Sequence, residues 1–154
     1  MLQKFSPDPE GEKVELLGQL VANLALGNWD AHAKNTSFLY REQMVPTLAP
    51  LYDVVPIAEA EPRTTLLSMR VNGVIDPGSL HGPMSSPRLF PGGLATTDVG
   101  SVVDRVLKDL EEGIRIASTA YPAAAARHEA NALERIRKLK GGICLEAVLT
   151  LVGE

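Results

Sequence analysis

Cysteine, aromatics, long apolar runs and excess positive charge are all scarce in this sequence, and each shortage closes off a class of protein. The single cysteine, Cys144, excludes an intrachain disulfide and fits a reducing compartment. Its flanks, Ile143 and Leu145, are apolar, so a buried structural thiol is expected. Aromatics make up 5% of the chain, which leaves Leu, Val, Ile and Ala to build the core. No stretch approaches the roughly 20 apolar residues of a membrane-crossing helix, and residues 1–9 carry no signal-peptide apolar region. The formal charge of −4 lacks the basic excess that a phosphate backbone or an anionic membrane attracts. The expectations are a cytoplasmic protein, no membrane and no direct nucleic-acid binding. What is present is ordinary globular composition, 45% apolar and 22% charged, over 154 residues suited to one domain.

Hydrophobic periodicity predicts a helix over residues 10–26, where Val14, Leu17, Leu20, Val21 and Leu24 share a face. Asp8 as cap, Pro9 in the first turn and Glu10 near the positive dipole end suit its start. Gly27 suits its end. Residues 36–40 and 44–48 read as two short strands around the polar turn Arg41-Glu42-Gln43, with Pro46 marking the second as an edge. Residues 64–71 read as a strand followed by the turn signal Asn72-Gly73. Residues 76–96 are rich in Gly, Pro and Ser and read as a long flexible loop. Thr97-Asp98 caps a predicted helix over 98–119, with Val99, Val102, Val103, Val106, Leu107, Leu110 and Ile114 as its apolar stripe. Pro122 opens a third long helix to about Lys140, Gly141-Gly142 closes it, and a short helix is expected over 143–152.

Chemistry concentrates in Gly27-Asn28-Trp29-Asp30-Ala31-His32-Ala33-Lys34-Asn35 and in Tyr52-Asp53. Asp30 and Asn35 have the Asp-x-x-x-x-Asn spacing of a protein-kinase catalytic loop, in which the Asp is the base and the Asn a metal ligand. Asp53, after the hairpin, is placed to meet the same metal. It sits in the apolar run Leu51-Tyr52-Asp53-Val54-Val55, where a partly buried acid needs a cation or a donor. The plainer reading makes Asp30 and Asn35 turn residues at a helix end.

The segments Asp30-Ala31-His32-Ala33-Lys34-Asn35, Ser37-Phe38 and Leu48-Ala49-Pro50-Leu51-Tyr52-Asp53 resemble the catalytic signature of the HipA-like toxin kinases. Members of that family read N-x-D-x-H-x-K-N, then a short hairpin, then L-[AT]-P-x-Y-D. The resemblance spans residues 14–140, with 28–53 carrying nearly all of its specificity. It implies a mainly α fold, a helical kinase-like C-lobe fragment with a small β-hairpin next to the catalytic loop. It implies that Asp30 accepts the proton of a substrate hydroxyl and that Lys34 offsets charge beside it. It also implies that Asn35 and Asp53 ligate Mg²⁺ on the phosphates of ATP, with His32 a hydrogen-bonded strut of that cofactor-binding loop. Oxygen ligands of this kind suit a hard cation.

Family members carry a phosphate-binding loop and an ATP-contacting Lys upstream of this motif. Here 27 residues precede Asn28 and read as one helix. The expectation is therefore the C-terminal catalytic half of an ATP-dependent serine/threonine protein kinase of a toxin–antitoxin system, inactive alone. Mg²⁺ and ATP are expected to bind only when the missing N-lobe is present. The alternative is a non-catalytic binding module that docks an antitoxin or a separately encoded N-lobe. A metal-dependent hydrolase built on Asp30 and Asp53 is a poorer fit, because the set has no His ligands; His81 and His128 lie in unrelated segments. Trp29 reads as a side chain packed over the loop. The helix bearing Arg127, His128, Glu129, Glu134, Arg135, Arg137, Lys138 and Lys140 reads as a solvated face with spaced ion pairs.

Overall fold

Asp8 starts the first helix as its sequence predicts: its side chain accepts the Gly11 N–H at 3.0 Å, and Pro9 occupies the first turn. In the computed structural model this helix, α1, runs Pro9–Leu26. The structure describes residues 6–40, 45–61, 66–71, 75–77 and 99–142. A 3-10 turn at Ala33–Asn35 follows, then β1 (Phe38–Leu39), β2 (Thr47–Leu48), a one-turn helix α2 (Ile57–Ala60), and the long helices α3 (Val99–Ala120) and α4 (Pro122–Gly142). The mainly helical fold with one small hairpin is as expected.

The core is the meeting of α1, α3 and α4. Leu17, Val21, Leu24 and Ala25 of α1 pack with Val102, Val103 and Leu107 of α3 and Ile136 of α4. The remaining stripe residues Val14, Leu20, Val99, Val106, Leu110 and Ile114 lie partly buried against this cluster. Both predicted apolar faces are therefore the faces that pack. A helix presents such a stripe once every 3.6 residues, so three helices can share one core without a sheet. Tyr121 alone separates α3 from α4, and Lys140 near the end of α4 pairs with Glu111 in the middle of α3 at 2.7 Å.

The hairpin is antiparallel, with Phe38 opposite Leu48 and Leu39 opposite Thr47. Its strands are shorter than the predicted 36–40 and 44–48, and Pro46 has no N–H to extend the second. The strand expected over 64–71 is not formed in its described residues: 66–71 are bends with a lone bridge at Val71. Their donors go elsewhere, Leu67 N–H to the Ile75 carbonyl and Ser68 N–H to the Trp29 carbonyl, each at 2.8 Å. Leu67 and Val71 still reach the core. The turns Arg41-Glu42-Gln43 and Asn72-Gly73, residues 78–96 of the expected loop, the Thr97-Asp98 cap, His81, Cys144 and the helix expected over 143–152 lie outside the described residues. Among the described residues no helix is long and apolar enough to cross a membrane.

Candidate functional site

Gly27 ends α1 in the left-handed conformation, with φ 76°. A Cβ there would stand 2.9 Å from the Ala58 Cβ and 2.9 Å from Cζ of Arg135, so both backbone angle and space require glycine. The chain then folds tightly on itself. Asn28 N–H donates to the Asn23 carbonyl (2.8 Å), His32 N–H to the Asp30 carbonyl (2.7 Å) and Asn35 N–H to the His32 carbonyl (2.9 Å). Ala58 N–H donates to the Gly27 carbonyl at 3.0 Å, which fastens α2 beneath the loop. Trp29 packs against the core, as its packing role predicts.

The second half of the site arrives on the hairpin, and α1 holds that hairpin with polar side chains. Glu12 Oε1 accepts the Leu48 N–H at 3.0 Å, and Gln19 Nε2 donates to the Ala49 carbonyl at 2.8 Å. Ala49 N–H donates to the Ser37 carbonyl at 2.8 Å and carries the pairing past β2. Tyr52 Oη then donates to the Lys34 carbonyl (2.8 Å) and accepts from Ser37 Oγ (2.7 Å). One phenol thus joins the loop, β1 and the segment that bears Asp53.

Asp53 itself has φ 55°, a left-handed backbone that is uncommon outside glycine. Its Oδ2 accepts from Asn35 Nδ2 at 2.9 Å, across 18 positions of chain. The structure therefore brings together Asn35 and Asp53. Asp53 is exposed, which corrects the expectation of a partly buried acid: the run Leu51–Val55 lies at the surface rather than in the core. Asp30 is also exposed, and its carboxylate is engaged by none of the described residues. Lys34 is exposed, with its carbonyl anchored by Tyr52. His32 departs from its expected role as a hydrogen-bonded strut. Its Nδ1 is buried with no partner among the described residues.

The donor set can be tested against magnesium. The Asn35 amide oxygen and the second Asp53 carboxylate oxygen are left over when Nδ2 and Oδ2 bond to each other. An amide oxygen and one carboxylate suit Mg²⁺, which is commonly held by one or two carboxylates with substrate phosphates and water completing the shell. Among the described residues no group of three or more His, Cys, Asp and Glu could hold an ion, which leaves no tetrahedral zinc-type cage there.

Sequence reasoning missed the polar supports beneath the loop. Arg135 does not belong to a solvated face. Its Nε donates to the Ala25 carbonyl (2.9 Å) and its guanidinium to the Leu26 carbonyl (3.3 Å), so α4 caps the C-terminus of α1. The same guanidinium pairs with Glu59 at 2.7 Å, and His128 Nδ1 meets the other Glu59 oxygen. Burial pushes the Glu59 carboxyl up, but hydrogen bonds from Arg135 and His128 outweigh it and leave the group below its ordinary value. Periodicity carries no signal for such a contact, because Arg135 and Glu59 are 76 positions apart. The solvated reading does hold for Arg137 and Lys138, which pair with Glu134 on their own helix. An apolar cleft of about 430 Å³ opens beside this network, between Val54, Pro56, Ile114, Tyr121 and Ala125. It contains none of Asp30, Asn35 or Asp53.

Comparisons with known proteins agree on one lineage. The family model for the HipA-like C-terminal domain matches residues 1–114. Y4mE of Sinorhizobium fredii, which bears a provisional kinase name, is 37% identical over 71 residues, covering 46% of this chain and 17% of its own length. The serine/threonine-protein kinase toxin HipA of Shewanella oneidensis is 30% identical over 108 residues, covering 70% of this chain and 24% of that protein. A solved Shewanella oneidensis complex of HipA, HipB and operator DNA contains a chain that superposes with a TM-score of 0.67 at 22% identity, over 86% of this chain and 34% of that one. That likeness shows the fold. The chain spans less than a quarter of the length of the two curated relatives it matches.

Proposed function

The chain belongs to the HipA-like C-terminal domain family, and from that premise we propose that it forms the catalytic half of an ATP-dependent serine/threonine protein kinase of a toxin–antitoxin system. The observation that carries the reading is the Asn35–Asp53 contact of 2.9 Å, which joins the two expected magnesium ligands from separate parts of the chain. Asp30, exposed on the loop five positions before Asn35, accepts the proton of a substrate Ser or Thr hydroxyl. The hydroxyl oxygen attacks the γ-phosphorus of ATP, the bond to the bridging oxygen breaks, and ADP leaves. Magnesium, when bound, neutralises phosphate charge. Asn35 and Asp53 would hold it, and Lys34 adds a positive charge beside the loop. Chemistry of this kind rests on positioning more than on covalent participation, which is why a rigid loop matters.

Because the chain spans 24% of the kinase toxin it matches, the remaining phosphate contacts are assigned to segments outside that span. The isolated chain then binds Mg²⁺–ATP weakly and does not transfer phosphate. Its partners are a protein substrate in the cytoplasm and an upstream lobe, with an antitoxin as the regulator. The test is complementation: the nucleotide-binding lobe of a relative is supplied and transfer to protein Ser or Thr is assayed. Asp30→Asn should lower the rate by about 100-fold or more. Equal rates for parent and variant would remove Asp30 as the base.

A second reading, a non-catalytic module that docks a separate lobe or antitoxin, is favoured by one observation. Leu39, Tyr40, Val45 and Val55 are exposed around the hairpin, Tyr40 at 79%. The two readings separate in the same assay. A complemented complex that assembles but transfers no phosphate favours docking alone.

A further inference from the structure

Asn28 is a buried amide whose role neither the loop chemistry nor the core explains. It is 3% exposed, yet it adjoins an exposed loop. Its Nδ2 has two hydrogens and uses both: one reaches Asn23 Oδ1 at 2.9 Å, the other the Asp53 carbonyl at 3.0 Å. Its backbone N–H is fixed to the Asn23 carbonyl, so the side chain is aimed from the rigid end of α1. The acceptor at the far end is the one non-glycine residue with a left-handed backbone among the described residues. That conformation is disfavoured for an L-residue, and it persists where surroundings hold it. At Asp53 the holding donor on the backbone side is Asn28, and on the carboxylate side it is Asn35.

We infer that Asn28 is a positioning residue that locks the Asp53 backbone in its left-handed conformation and thereby aims the Asp53 carboxylate at Asn35. The inference rests on the reading of Asn35 and Asp53 as the metal pair. Without the Asn28 donor, the Asp53 carbonyl loses its buried partner and the backbone relaxes toward negative φ, which swings the carboxylate off Asn35. Supports of this sort stand behind a ligand without touching the ion, and their removal commonly costs about 10–100-fold in metal affinity.

The experiment uses the full 154-residue chain, isotopically labelled, with Mn²⁺ as the probe. Two readouts are followed: the Cα and Cβ shifts of Asp53, which report its backbone conformation, and the broadening of the Asn35 side-chain amide and Asp53 amide signals by Mn²⁺. In the parent, Asp53 should show left-handed shifts and both signals should broaden selectively. Asn28→Ala should abolish the left-handed signature and move the broadening to at least about tenfold higher Mn²⁺. Asn23→Ala removes the other bond of the same amide and should leave both readouts as in the parent, which a merely structural role for Asn28 does not predict. Should Asn28→Ala fail to fold, Asn28→Asp, similar in shape but without the donor, replaces it. If Mn²⁺ binds at Asp53 but loss of the Asn28 donor changes neither readout, the lock is wrong and the ligand assignment stands. Paramagnetic broadening registers even weak, fast-exchanging binding, so if saturating Mn²⁺ spares Asp53 and Asn35 in the parent, the ligand assignment fails and takes the metal-aiming role of Asn28 with it.

Discussion

The α3–α4 hairpin and the loop at 27–35 are held by different forces. The hairpin rests on stripes: Val102, Val103 and Leu107 on one helix and Ile136 on the other bury against α1. The loop rests on single polar contacts made at long range. Tyr52 reaches Lys34, Asn28 reaches Asp53, Glu12 and Gln19 reach the hairpin, and Arg135 reaches the end of α1. Apolar burial is non-directional and tolerates small shifts, so it stabilises without aiming anything. Hydrogen bonds are directional and contribute little net stability each, so they aim without stabilising much. The frame and the site can therefore be damaged separately.

The sharpest way to break the comparison is a pair of substitutions with opposite signatures. Asp53→Ala, at an exposed position, should abolish phosphate transfer in the complemented enzyme and leave the urea midpoint of the chain nearly unchanged. Leu107→Ala, at a position with no exposure, should cost about 2–5 kcal/mol in urea unfolding. If Leu107→Ala folds as stably as the parent, the three-helix core is misplaced.

Arg135→Ala lies between the two regions, since α4 supplies the residue and α1 receives it. It leaves Glu59, 5% exposed, without its guanidinium and uncaps α1. The expected loss is about 3 kcal/mol, at the lower end for breaking a buried pair. The same network carries a pH dependence with a definite sign. The Glu59 carboxyl titrates lower in the folded chain than its ordinary value, so its contribution is present above that ordinary value. It is lost as pH falls through the depressed one. Glu59→Gln should flatten this part of an acid-unfolding curve, and an unchanged curve would show that other carboxylates govern it.

Tyr52→Phe is a smaller change. It removes the bonds to Lys34 and Ser37 and keeps the ring. About 1 kcal/mol of stability should go, with a larger relative fall in transfer, because the phenol ties the base loop to the Asp53 segment. The smallest effect belongs to Glu111→Gln. Its pairs with Arg115 and Lys140 are solvent-facing, so the thermal midpoint should not move measurably.

Much of the frame was legible. The cap at Asp8, the stop at Gly27 and both apolar stripes are local patterns, and local patterns are what a sequence displays. The motif residues Asp30, Asn35 and Asp53 were legible too, through spacing and family resemblance. The errors share one physical cause. The strand expected over 64–71 failed because its donors are taken by Trp29 and Ile75, and Arg135 was misread as solvated because its acceptors lie on α1. Asp53 was expected to be partly buried because its neighbours are apolar, but neighbours in sequence do not set exposure in an irregular segment.

The amino-acid order by itself determined three helices, their inward faces and the residue types of the loop motif, because helical period and capping act over a few positions. Tertiary structure decided that Asn35 and Asp53 meet, that Asp53 turns left-handed and that Asn28 and Arg135 stand behind the loop. Those outcomes depend on groups 18 to 110 positions apart finding one another in space, and no spacing rule along a chain reaches that far.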